Sequence, residues 1–195
     1  MATYAQLSLA RIAEAAARRS TDPTRHTCFV SYHHEDQDEV EEFLDTFGHV
    51  FIARVLGVSD EDDFVDSDNT DYIMDYIREV YLTDSTVTIV MVGKGTWASR
   101  YVDWEVFSTL RNDKNNRRSG LMAITLPSAA DYWNKQLPPR VADNVDADEK
   151  YARWWKYPTA GNDLQGFIDI AFDTRVTKAH LIDNTRERRG HNVVW

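Results

Sequence analysis

The sequence predicts an α/β sandwich: a central parallel sheet with helices on both sides. Four short apolar runs, at 27–32 (TCFVSY), 50–55, 86–92 (TVTIVMV) and 121–126 (LMAITL), have the length of strands. Two of them are rich enough in β-branched residues to read as strands directly. Amphipathic helical patterns separate the runs, and near-continuous apolar strands of this kind are buried on both faces, as in a parallel sheet with right-handed crossovers.

In chain order, residues 1–25 come first. The opening MATYAQLSLARIAEAAARRS is rich in Ala and Arg, superficially like a transit peptide, and its helix propensity predicts an N-terminal helical extension packed on or beside the domain. Asp22-Pro23-Thr24 breaks the chain before the main domain, 26–185. After the first strand, Val40, Phe43, Leu44 and Phe47 recur at three- and four-residue spacing with acids on the opposite face, which predicts a first helix. Ile73, Ile77 and Val80, following capping-type residues at 67–71, predict a helix over 70–82. Val102, Val106 and Leu110 predict another over 100–112, and Leu164, Ile168, Ala171, Phe172, Val176 and Ala179 one from Asp163 to about Thr185. Residues 186–195, with Arg186-Glu187-Arg188-Arg189, read as a solvated C-terminal tail.

Charge and composition narrow the function. The 195 residues include 32 acids against 22 Lys plus Arg, a net charge of -10, the reverse of what a nucleic-acid footprint requires. No apolar run has the length of a membrane span. The single Cys28 allows neither an intrachain disulfide nor a Cys-rich zinc site, and a reducing cytoplasm fits best. At 43% apolar and 28% charged, the chain has globular composition, and its length supports one well-cored domain.

Ligands of parallel α/β folds bind outside the carboxyl ends of the strands, so the loops after Tyr32, Val92 and Leu126 are where chemistry is expected. His33-His34-Glu35-Asp36 suggests a metal, but the third and fourth ligands that zinc needs have no counterpart, and a solvated helix start is the plainer reading. The third strand runs into Gly93-Lys94-Gly95, where a phosphorelay receiver needs an Asp. That Gly-x-Gly also lacks the third glycine of a dinucleotide fingerprint. More than half of the 32 acids lie between residues 35 and 84, but the densest stretch (DEDDFVDSDNTD, 60–71) has neither the turn glycine nor the terminal glutamate of an EF-hand and reads as an acidic loop. Trp133, Trp154, Trp155, Tyr151 and Tyr157 suit core or lid packing, or base stacking.

Glu105 stands out among the carboxylates. On a helical wheel it shares with Tyr101, four residues earlier, a flank of the stripe made by Val102, Val106 and Leu110, whereas Asp103 takes the other flank and Trp104 points away. From a helix that follows a mid-sheet strand, a carboxylate on that flank reaches the strand-end cleft. Ser31 and Gly93 should lie at the same sheet edge, with residues 31–34 lining the cleft.

This order meets a known family. CFVSYHHED resembles the first box of TIR domains, and STVTIVMVGKGTWASRYVDWEVFSTL resembles their third strand and the helix carrying the catalytic glutamate. The spacing and the Asp84-Ser85-Thr86 lead-in are most similar to the TIR-like proteins of the bacterial Thoeris antiphage system. The resemblance spans 26–126 and implies a flavodoxin-like TIR fold. It implies Glu105 as the catalytic residue, with Ser31, Tyr32, His33, Gly93 and Tyr101 around the substrate. Tyr101 stands where the family usually has Trp. The implied activity is cleavage of NAD at the nicotinamide–ribose bond, with NAD as substrate and no metal or other cofactor, giving a cyclic ADP-ribose-type signal for an effector protein. Self-association accompanies activation in such domains. A non-catalytic TIR interaction module and a nucleoside deoxyribosyltransferase-like enzyme are the alternatives. Release of nicotinamide separates the first reading from both.

Overall fold

In the computed structural model, residues 25–55, 82–112, 117–132, 136–145 and 149–193 are described. The expected N-terminal extension, nearly all of the 70–82 helix, the 60–71 acidic loop and Trp133 lie outside them. The described elements are β1 (Thr27–Ser31), α1 (Gln37–Phe47), β2 (Ile52–Val55), β3 (Val87–Val92), α2 (Arg100–Leu110), β4 (Gly120–Thr125), α3 (Pro139–Asn144), β5 (Arg153–Trp155) and α4 (Gly161–Thr177). The sheet is fully parallel in the order β2-β1-β3-β4-β5. This is the expected flavodoxin-like arrangement.

Alternation along the strands divides the core into two layers, because successive side chains point to opposite faces. Cys28, Val30, Val87, Ile89, Met91, Met122 and Ile124 pack with Val40, Phe43 and Leu44 of α1 and Leu164 and Ile168 of α4. Val90, Val92, Leu121 and Ala123 point the other way, onto Val102, Val106 and Leu110 of α2 and Val141 of α3. By the same parity Ser31, one residue beyond Val30, is directed to the α2 side. β3 and β4 are buried along their whole length, which accounts for their unbroken apolar runs. Gly120 allows α4 its close approach to β4, since a Cβ there would overlap the Ala171 carbonyl.

The aromatic stretch keeps its core reading at Tyr151, Trp155 and Tyr157, and two other expectations are corrected. β5 falls within the aromatic stretch expected to be core or lid. Trp154 is half-exposed on this edge strand, Trp155 stacks on Phe167 with ring centroids 4.2 Å apart, and Tyr151 is fully buried. The last helix ends at Thr177 rather than near Thr185. Leu181 and Ile182 pack in the α2 layer, on the far side of the sheet from α4, so the chain must leave the helix to round the edge. Finally, the tail has exposed side chains at 186–188, but its backbone is held: Arg140 donates to the Arg186 and Glu187 carbonyls at 2.9 and 3.1 Å, and the Arg189 N–H donates to Asp103 at 3.0 Å.

Candidate functional site

Ser31 closes β1 and Gly93 follows the last residue of β3, the neighbouring parallel strand, so both lie at the carboxyl edge of the sheet. From Gly93 the chain makes a short 3-10 turn, Thr96–Ala98, and enters α2. Ser99 caps that helix, its side chain accepting from the Val102 N–H at 3.3 Å. The cap fixes where α2 begins and so which residue of its second turn faces β1. That residue is Glu105. It is 3% exposed, and the Ser31 hydroxyl donates to its Oε2 at 2.5 Å, a distance in the range of a hydroxyl on a carboxylate. The backbone carbonyl of Glu105 accepts from Thr109 Oγ1 at 2.9 Å, and Thr109 is in turn 2.9 Å from Thr88 of β3, which ties this turn of α2 to the sheet.

The structure thus brings Ser31 and Glu105, two of the residues that the TIR resemblance named, into direct contact. The family model for the TIR-like domain of the Thoeris protein ThsB matches residues 29–131. The chain belongs to this ThsB TIR-like family. A search of curated proteins finds no match. The matched span runs from β1 through β4 and contains both Ser31 and Glu105; β5, α4 and the C-terminal strap lie beyond it.

The other expected residues of the TIR-like domain are placed differently. Tyr32 is buried in the α1 layer, across the sheet from Glu105. His33 Nδ1 accepts from the Glu35 N–H at 3.4 Å, and its ring lies 4.2 Å from that of His34. Burial, and secondarily the neighbouring His34, lower its pKa from the ordinary value. Tyr101 is buried, but its contacts run outward along α2: its hydroxyl accepts from Arg100 at 2.8 Å, the Arg100 guanidinium sits 4.8 Å from its ring centroid, and its ring meets Trp104 edge-on.

Gly93 belongs to a second cluster that sequence reasoning missed. A Cβ on Gly93 would overlap the Asp36 carboxylate, so the backbone must be bare for Asp36 to pack there. The Gly93 N–H donates to Thr96 Oγ1 at 2.8 Å, and the Thr96 hydroxyl is 3.1 Å from Asp36 Oδ2 and 3.3 Å from the Met91 carbonyl. The helix start is thus solvated at His34 and Glu35, as expected, but buried at Asp36. Burial raises the Asp36 pKa to about 6 against the lowering effect of the Thr96 hydrogen bond; Glu39 and Glu35 add to the rise and Lys94 opposes it. The signal in the sequence was the position of Asp36 directly before the first helix, with a Gly at the end of a neighbouring strand.

The outer face of α2 was also misjudged from the wheel. Trp104 does not face solvent: it is 4% exposed and its Nε1 donates to the Arg189 carbonyl at 2.8 Å. Asp103 is buried and pairs through both oxygens with the buried Arg140 of α3, at 2.9 and 3.2 Å. Among the described residues, no group of three or more His, Cys, Asp or Glu is arranged to hold a metal ion. No helix among them is long and apolar enough to cross a membrane.

Proposed function

We propose that this TIR-like domain cleaves NAD at the nicotinamide–ribose bond, with Glu105 as the catalytic residue. The observation that carries the reading is the Ser31–Glu105 hydrogen bond, which holds a carboxylate at the carboxyl edge of the sheet at the position the family resemblance assigns to catalysis. Most glycosidases need two carboxylates because an alkoxide leaving group must be protonated. In NAD the leaving nicotinamide is a pyridinium and departs as a neutral amine, so one carboxylate is sufficient. Its task is to bond the ribose hydroxyls and stabilise the oxocarbenium-like transition state electrostatically. Ser31 would fix the carboxylate in that role, with His33 and Gly93 at the same edge and Tyr101 one turn away on α2.

Where water is excluded, another part of the same ADP-ribose captures the cation and closes a ring; where it is not, hydrolysis gives linear ADP-ribose. A cyclic product would act on an effector protein as a diffusible signal in antiphage defence, in the cytoplasm. With only 3% of Glu105 exposed, substrate reaches the carboxylate only after the groups over it move. Self-association on activation is the event we assign to that opening. The reading is tested by incubating purified protein with NAD, with and without crowding agent or infected-cell lysate, and resolving the products by chromatography and mass spectrometry. Nicotinamide together with a cyclic ADP-ribose isomer supports it. Lack of nicotinamide release under all of these conditions favours the interaction-module alternative.

A further inference from the structure

At the opposite edge of the sheet, a concavity of about 410 Å³ is lined by Asn112, Arg117, Arg118, Arg175, Val176 and Ala179. Arg117 and Arg118 immediately precede β4, Asn112 follows α2, and the other residues lie at the end of α4. The pocket therefore opens at the amino ends of the strands. Asn112 lies seven residues beyond Glu105, at the far end of α2, so the pocket starts roughly 10 Å from Glu105 along the helix axis at about 1.5 Å per residue. A chain of net charge -10 here gathers three guanidinium groups with no carboxylate among the described residues that line the space.

The backbone beside Arg118 and the Arg175 side chain are held in place. Ser119, next to Arg118, is anchored on both sides, its N–H donating to the Thr109 carbonyl at 3.2 Å and its hydroxyl to the Ser85 carbonyl at 2.8 Å. Arg175 lies over the Phe172 ring at 3.8 Å, and its Nε donates to the Phe172 carbonyl at 3.2 Å. Among the described residues none of the three forms an ion pair with an acid. The carbonyls at the end of α4 contribute about half a negative charge, which three positive charges outweigh.

We propose that this pocket is an anion site for a phosphate-bearing small molecule of up to nucleotide size. The guanidinium fork matches phosphate oxygens in pairs. The volume falls in the range of small-ligand sites, about 300–1,000 Å³. A single concavity, rather than a basic stripe, fits a small ligand and not a nucleic-acid strand. Val176 and Ala179 supply an apolar wall, and Asn112 a neutral donor and acceptor.

The site does not depend on NAD cleavage, and its test reads binding alone. Full-length protein is titrated by calorimetry with inorganic pyrophosphate, phosphate and ADP, each against sodium sulfate at matched ionic strength, since sulfate stabilises proteins non-specifically. Pyrophosphate should bind where sulfate does not, and Arg118→Gln and Arg175→Gln should each weaken it about tenfold or more, as expected for losing a hydrogen bond to a charged group. Glu105→Gln should bind it like wild type. ADP binding more tightly than pyrophosphate identifies a nucleotide ligand, and equal binding identifies the phosphate group alone. Pyrophosphate binding no better than sulfate, or unchanged in both arginine variants with unaltered melting temperature, overturns the proposal.

Discussion

Ser31 and Glu105, separated by 74 positions in the chain, meet through a 2.5 Å hydrogen bond at the carboxyl edge of the sheet. Strand parity turns Ser31 toward the α2 layer, and the Ser99 cap sets the phase of the helix that brings Glu105 to it. Glu105→Gln keeps the volume and the bond to Ser31 but removes the charge that, in the proposed mechanism, favours a developing cation. Under conditions where wild type releases nicotinamide, this variant should lose about 100 to 1000-fold in rate. Ser31→Ala should lose less, because the carboxylate remains but is no longer held, and Tyr101→Ala should show a partial defect. Steady-state nicotinamide release measures all three. Full activity in Glu105→Gln would mean that another residue carries the chemistry.

Asp36 gives the fold a pH dependence whose sign follows from burial. Its pKa is raised from 3.8 to about 6, first by desolvation, so the folded state holds the proton more tightly than the unfolded state. The stabilisation is complete below about pH 4 and is lost as pH rises through about 6. In Asp36→Asn that loss disappears, so the variant should gain on wild type between about pH 4 and 6 and hold a constant advantage above. Urea midpoints across this range test it. Parallel curves for the two proteins would show that Asp36 titrates as an ordinary surface acid.

Gly93 is tied to the same carboxylate. In Gly93→Ala the new methyl overlaps Asp36, so either the side chain or the β3 end must shift, at a cost of about 1–3 kcal/mol typical of overpacking. Asp36→Ala in the same chain clears the space. The double variant should therefore be less destabilised than the sum of the two single changes, as measured by denaturant unfolding.

The strands β1, β3 and β4 were legible because burial on both faces leaves an unbroken apolar run, and 27–32, 86–92 and 121–126 each mark one to within a residue or two. β5 was not: Arg153-Trp154-Trp155 is three residues long, carries a charge and is half-exposed at the edge, so neither length nor alternation marks it. Glu105 and Ser31 were legible from periodicity and resemblance together, since one lies on a helix flank and the other at a strand end. The wheel failed for Trp104 and Asp103 because it assumes one buried stripe, whereas nine of the eleven residues of α2 are buried. What covers the outer face comes from α3 and the C-terminal strap, 37 and more positions away, and no local pattern encodes such partners.

The last expectation concerns that strap. A solvated tail could be removed at a cost within about 0.5 kcal/mol, as for ordinary surface changes. Here residues 186–193 accept two hydrogen bonds from Arg140, donate one to Asp103, receive the Trp104 indole N–H and reach back to Arg100 and Ala98 through Asn192 and Val193. Truncation after Thr185 should therefore cost roughly 2–4 kcal/mol, since hydrogen bonds to charged groups are worth about 1.5–3 kcal/mol each and water replaces part of them. Arg140→Met leaves Asp103 buried without its ion-pair partner and should cost about 3–5 kcal/mol. Because both changes break one network, their combination should cost less than their sum. Hydrogen exchange adds a readout that overall stability does not: in the truncated chain, amides over 99–106 should exchange faster while those of β3 and β4 stay protected. If so, the strap holds the helix that carries Glu105, and truncation should lower nicotinamide release even well below the melting temperature, because displacing a reacting group by about 1 Å can cost 100-fold in rate. Unchanged exchange over 99–106 would leave the strap a passive cover over Trp104.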